Sequence, residues 1–187
     1  MTFDARVLIA IHARSGPELD RLFRLSHELG TLPFCAALVL SAAAWCMTRG
    51  ERRLALLWVL TGLATEATQE ALKHLIARPR PTLWPYLIPH SGFSFPSGHA
   101  LAGATFFPLL AWTWSRARPS ERAVAWTLAV IMALFVGFGR LYLGAHWPTD
   151  VLAGWALGAA QAALVLRIGA GRTGPYDTKK HLQPTAR

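Results

Sequence analysis

Three short segments carry residue types that could do chemistry together. The first, Lys73-His74-Leu75-Ile76-Ala77-Arg78-Pro79-Arg80-Pro81, sets a lysine and two arginines around a pair of prolines. Prolines two apart forbid helix and extend the chain, so Lys73 is expected at a helix end and Arg80 on a rigid extended segment. Cations that approach from two directions can embrace one tetrahedral anion, the guanidinium as a planar fork and the ammonium as a point charge. Basic side chains snorkelling to a membrane interface would look the same, so this segment alone leaves both readings open.

The second segment, Phe95-Pro96-Ser97-Gly98-His99, stands immediately before an apolar run. Ser97 suits a helix N-cap, Gly98 lets another group come close to the backbone, and the free N–H groups of a helix start favour an anion. His99 falls in the first turn, beside any phosphate held there. A plain helix start with an interfacial histidine is the alternative. In the third segment, Gly139-Arg140-Leu141-Tyr142-Leu143-Gly144-Ala145-His146-Trp147-Pro148-Thr149-Asp150, Pro148 suits the first position of a helix. That places Asp150 in the first turn and His146 just outside it. Asp150 can then reach back to one imidazole nitrogen of His146 and leave the other free for attack, or it can serve only as a capping carboxylate.

The elements that must position these groups are apolar helices. Of 187 residues, 53% are hydrophobic, and mean hydropathy is +0.31, high for a water-soluble domain. A spanning helix needs about 20 mostly apolar residues. Five segments approach that length, at Thr31 to Thr48, Leu54 to Leu72, Ala100 to Ser115, Ala123 to Phe138 and Val151 to Ile168. The second carries Glu66, Gln69 and Glu70 in its far half, which must face the bundle interior rather than lipid. Glu66, Glu70 and Lys73 can share one helix face, and the two glutamates are expected to support the cations rather than to react. The chain therefore reads as an all-α polytopic membrane bundle of about five spans, with room for a sixth near Phe3.

Residues 1–30 alternate apolar and charged positions and hold no spanning run. Leu19, Leu22, Phe23, Leu25, Ser26 and Leu29 recur at helical spacing, as in an amphipathic helix lying in the interface. Residues 31–168 form the expected membrane domain, and 169–187 a flexible cytoplasmic tail rich in Gly, Pro, Lys and Arg. No removable signal peptide is expected from the first residues. Cys35 and Cys46 lie eleven apart in one helix, roughly 15 Å or more, too far for a disulfide. The segment Thr82 to Pro89 is apolar, aromatic and proline-rich, a wall or lid at the interface.

The net charge of +9 is distributed by topology. Arg49, Arg52, Arg53, Arg116, Arg118, Arg122, Arg167, Arg172, Lys179, Lys180 and Arg187 follow the first, third and fifth spans, eleven of the 19 basic residues on one side. Cytoplasmic loops carry that excess, so the three chemical segments are expected on the outer face. Dispersed at span ends, the charge leaves no surface for nucleic acid.

Taken together, the three segments resemble the signature of the type 2 phosphatidic acid phosphatase family. Its parts are Lys, six residues, Arg-Pro; then Pro-Ser-Gly-His; then Ser-Arg, five residues, His, three residues, Asp. Lys73 to Pro81, Pro96 to His99 and Arg140 to Asp150 match in order and spacing, except that Gly139 stands in the place of the serine. The resemblance implies that His146 attacks phosphorus to give a phosphohistidine, that Asp150 orients it, and that His99 protonates the leaving oxygen. Lys73, Arg80, Arg140, Ser97 and Gly98 would hold the phosphoryl oxygens, with Arg78, Glu66 and Glu70 in support. No metal or other cofactor is implied, because three fixed cations neutralise the phosphate. The expected partners are the bilayer and a lipid phosphate. Undecaprenyl diphosphate leads; phosphatidate, phosphatidylglycerol phosphate and lipid A phosphate are alternatives. Vanadate-dependent haloperoxidases resemble the family in the same anion site, but the spans argue against them. A non-catalytic lipid-binding protein would be expected to lack His99 or His146.

Overall fold

The computed structural model describes residues 1–170, and all regular structure in them is helical. Seven α-helices follow one another: α1 (Phe3–His12), α2 (Pro17–Glu28), α3 (Leu32–Thr48), α4 (Arg52–Ile76), α5 (Gly98–Ala117), α6 (Arg122–Tyr142) and α7 (Pro148–Ala170). The five expected spans fall on α3 to α7. Beyond Ala170, the expected tail lies outside the described residues. By length and composition, residues 119–142 and α7 are apolar enough to cross a membrane, with mean hydropathy 1.9 and 1.6. The pair α2 and α3, bent by 52° at their break, is a third candidate. The acidic face of α4 lowers its average.

Helix α5 forms the centre, packed along its length against α6 and α7, and α3 pairs with α4. The α5–α7 seam depends on small residues. A Cβ at Gly158 would run into the Leu101 carbonyl of α5, so glycine lets the two backbones meet. A buried polar knot ties α4, α5 and α7. The Gln161 carboxamide accepts from Thr65 (3.1 Å) and Thr105 (3.2 Å) and donates to Thr68 (3.0 Å), leaving neither of its ends unpaired inside the bundle.

Helices α3, α5 and α7 begin at one end of the bundle, where α4 and α6 finish, and this end carries all three chemical segments. Helix α4 stops at Ala77, which caps it in the left-handed conformation (φ 50°), and the Pro79 and Pro81 stretch follows as an extended segment. The amino-terminal thirty residues do more than lie in an interface. Helix α1 is ten residues long, about 15 Å at the helical rise, shorter than a spanning helix needs. Its Asp4 is buried. Helix α2 leaves Leu19, Leu22 and Leu25 exposed but buries Phe23 and Ser26 against α6.

Candidate functional site

His146 lies between α6 and α7 and is fully enclosed. Its Nδ1 is 2.8 Å from the carbonyl oxygen of Ser94 and 3.8 Å from Asp150 Oδ2. A carbonyl only accepts, so Nδ1 carries the proton and Nε2 presents a lone pair. The expected orienting bond from Asp150 is thus replaced by one from the Ser94 backbone, because 3.8 Å is too long for a hydrogen bond. Burial, reinforced by Arg140 and Arg80, holds the imidazole down to about 4 against the opposing pull of Asp150. The ring is therefore neutral at physiological pH.

Asp150, in the first turn of α7 as expected, instead knits the loops together. It accepts from the Ser94 hydroxyl, the Trp147 N–H (2.9 Å) and Arg78 Nη1 (2.5 Å). The other Arg78 nitrogen pairs with Asp4 of α1 at 2.7 Å, and Asp4 also accepts from the Thr149 N–H (3.2 Å) and hydroxyl (2.7 Å). Burial works against the Arg78 charge, but the two carboxylates outweigh it and raise its pKa. Trp147 lies beneath the same guanidinium, 5.5 Å from its ring centre.

Arg80 is fixed by carbonyls of Ser91, Gly92 and Ala145, and its Nη1 points to His146 Nε2 at 3.2 Å. Lys73 ends α4 and pairs with Glu70 at 2.7 Å; Glu66 bonds Gln69 one turn earlier. Gly98 opens α5 where Gln69 presses so close that a Cβ would overlap its carboxamide oxygen, so the approaching group is a neighbouring helix's side chain. Ser97 occupies the N-cap of α5, but its hydroxyl makes no capping bond. Among the described residues, Ser97 Oγ and Arg140 Nε are the buried side-chain polar atoms without a protein partner. Buried donors of that kind call for an acceptor from elsewhere.

Lys73, Arg80, Gly98, His99, Arg140 and His146 line one cavity of about 580 Å³. Glu66 and Gln69 also line it, and Leu32, Val39, Leu40, Val59 and Leu63 of α3 and α4 give it an apolar groove. Arg78, Asp150 and Ser97 back the site from outside this lining. In the segment Thr82 to Pro89, Trp84 stacks on His12 of α1 at 4.0 Å, and Pro89 reaches the cavity wall together with His90 and Ser91, which follow it.

Four site residues escaped the sequence reading. Asp4 and Ser94 belong to no periodic pattern. His90 Nε2 lies 3.3 Å from Arg140 Nη2, and burial with the nearby Arg140 and Arg80 charges pushes it down to about 3. His27 is bonded to Arg140 Nη1 (2.8 Å) and His99 Nε2 (3.0 Å). It lies four residues after buried Phe23 on the same face of α2, a spacing that could have flagged it. The departure at Gly139 also has a cause here. A Cβ at that position would overlap the Ser26 hydroxyl of α2, so the missing serine makes room for the helix that carries His27.

Residues 54–173 match the model of the PAP2 superfamily. The chain is 32% identical over 145 residues to phosphatidylglycerophosphatase B of Bacillus subtilis, covering 76% of this chain and 71% of that one. It is 33% identical over 132 residues to undecaprenyl-diphosphatase of Sulfolobus acidocaldarius, covering 66% and 58%. Among solved structures, the crystal structure of the transmembrane PAP2 type phosphatidylglycerolphosphate phosphatase from Bacillus subtilis superposes with a TM-score of 0.87 at 29% identity, over 92% of this chain and 87% of that one.

Proposed function

Because the chain belongs to the PAP2 superfamily, we propose that it is an integral membrane phosphatase that hydrolyses a lipid phosphate or diphosphate through a phosphohistidine on His146. The observation that carries this reading is the cavity itself, in which three cations and two histidines open into an apolar groove. An anionic headgroup with a long hydrocarbon tail fits both halves. Helices α3 to α7 act as five spans, and α1 and α2 lie at the outer surface.

The bare Nε2 of His146 attacks phosphorus, and the bond from phosphorus to the lipid oxygen breaks with its electron pair on that oxygen. His99 gives the oxygen a proton. Water then attacks the phosphohistidine, returns a proton to His99, and releases inorganic phosphate as the N–P bond breaks. Lys73, Arg80 and Arg140, with the Ser97 hydroxyl and the Gly98 end of α5, stabilise the charge on the transferring group. Glu70 holds Lys73 in place, and Arg78 holds Asp150. The reaction is metal-independent in this reading. Among the described residues no three His, Cys, Asp or Glu side chains are grouped to hold a metal, and the cations do its work.

Undecaprenyl diphosphate is the first substrate to try, on the strength of the compact head site and the long groove. The likeness to the Bacillus subtilis enzyme favours phosphatidylglycerol phosphate as the second. Phosphate release in detergent from these two lipids, phosphatidate and lipid A, with EDTA present, tests the reading. Hydrolysis of at least one is expected; release from none, or release only with added Mg²⁺, overturns it. The site should face the periplasm of a bacterial-type inner membrane. In a Cys35→Ala/Cys46→Ala background, Thr82→Cys should react with an impermeant thiol reagent in intact cells, and lack of reaction until lysis would invert the orientation.

A further inference from the structure

The proton-donating side of the site is built by α2, which lies outside the matched family segment. Arg140 Nη1 can only donate, and at 2.8 Å from His27 Nδ1 it requires a lone pair there. His99 Nε2 faces that same Nδ1 at 3.0 Å and the His27 carbonyl oxygen at 3.1 Å. Both are acceptors, so His99 Nε2 must carry a hydrogen. The two rings stack with centroids 4.9 Å apart, and the Cδ2 edge of His99 packs so tightly on Gly30 that a Cβ at that glycine would overlap it. With Nε2 and Cδ2 both occupied, Nδ1 is the nitrogen left to serve a substrate.

We infer that His27 is the positioning residue for His99: together with its own carbonyl at the end of α2, it fixes a hydrogen on Nε2, so that Nδ1 is the nitrogen that protonates the leaving oxygen. The inference rests on the proposed role of His99 as that proton donor. When Nδ1 gives up its proton, the Nε2 hydrogen stays on His99, still donated to His27, and His99 passes from imidazolium to neutral ring without turning. Arg140 meets His27 through one terminal nitrogen and His90 through the other, so the phosphate ligand keeps a second contact when the His27 ring is changed. Access for α2 depends on Gly139, whose lack of a side chain admits Ser26.

Asparagine can present its Oδ1 where His27 has Nδ1, whereas leucine leaves His99 Nε2 only the backbone carbonyl at the end of α2. On the best lipid phosphate, His27→Leu should lower kcat by roughly 10²-fold with KM nearly unchanged, the low end of what a general acid contributes, and His27→Asn should recover most of that loss. On an aryl phosphate, whose leaving group needs little protonation, His27→Leu should cost less than about threefold. Wild-type kcat in His27→Leu, or equal losses for alkyl and aryl leaving groups, would overturn the inference. A readout independent of turnover is the ¹⁵N spectrum of histidine-labelled protein, with the His99 signals assigned through His99→Gln. A hydrogen on Nε2 is expected, and it should be lost or shared between nitrogens in His27→Leu. A bare Nε2 in the wild type sinks the inference. If no lipid phosphate is hydrolysed at all, the phosphatase reading fails, while the spectrum still decides how His99 is held.

Discussion

His146 and His99 line the same cavity but are held by opposite means. On the His146 side, a run of charges, Asp4 to Arg78 to Asp150, pins the loops, and a neutral backbone carbonyl from Ser94 sets the tautomer. On the His99 side, another imidazole and a helix-end carbonyl fix the ring, and the charge of Arg140 meets it through His27. Location and protonation are thus separate tasks in this site. In the proposed mechanism the nucleophile needs a bare nitrogen and a fixed line of attack, which suits ion pairs that place its loop rather than bind its ring. A proton donor must change charge during turnover, so neutral acceptors that tolerate both forms suit it better than a carboxylate locked to it.

The largest expected effect falls on the His146 side. His146→Ala should abolish phosphate release, a loss beyond roughly 10³-fold, since it removes the imidazole nitrogen that meets Arg80. A ³²P-labelled phosphoenzyme trapped from that variant would refute the assignment. Asp150→Asn should cost about 10²-fold in kcat, less than in a triad where the carboxylate bonds the imidazole directly, because here it acts through Ser94, Trp147 and Arg78. If the loss reaches that of His146→Ala, the separation of tasks is wrong, and Asp150 controls the imidazole itself.

The same division explains what the sequence disclosed. The motif residues sit at the ends of long apolar helices, and the positions of Lys73, Arg80, His99, Arg140, His146 and Asp150 followed from span ends and proline stops. Their joint spacing within 73–150 was legible because one fold end must collect them. The partners that set protonation were not. Ser94 acts through a backbone carbonyl, which no residue type advertises. Asp4 and His27 reach the site through tertiary docking of short helices whose exposed leucines resemble an interfacial segment. The i, i+4 spacing points Asp150 at His146, but the left-handed turn at Gly144 and the irregular segment at Ser94 bring a nearer acceptor.

A smaller effect is expected from pH. With His146 held near 4 by burial and the neighbouring arginines, its Nε2 should stay bare down to about pH 4, so the nucleophile imposes no acid limb near 6.5. The sign for stability follows. Between about 4 and 6.5 the unfolded chain binds a proton that the folded chain refuses, so folded stability should rise with pH across that window. Titration of the His146 ring followed by NMR checks this, and a midpoint at 6.5 would show that the ring is not enclosed.

The finest test separates α1 from the motif it supports. Asp4→Asn keeps an oxygen for the Thr149 N–H but removes the charge facing Arg78. Arg78 retains Asp150, so the loop should loosen without letting go. The expected cost is about 1–2 kcal/mol of stability, the scale of a charge-assisted bond, and a fall in kcat of only about threefold, because the Ser94 carbonyl still sets the tautomer. Arg78→Lys can face only one of the two carboxylates at a time, and it should remove most of what Asp4 contributes. The double variant Asp4→Asn/Arg78→Lys should therefore be little worse than Arg78→Lys alone, in thermal unfolding and in turnover alike. Additive losses would mean that Asp4 acts by capping α7 at Thr149, and that the charged run ends at Arg78.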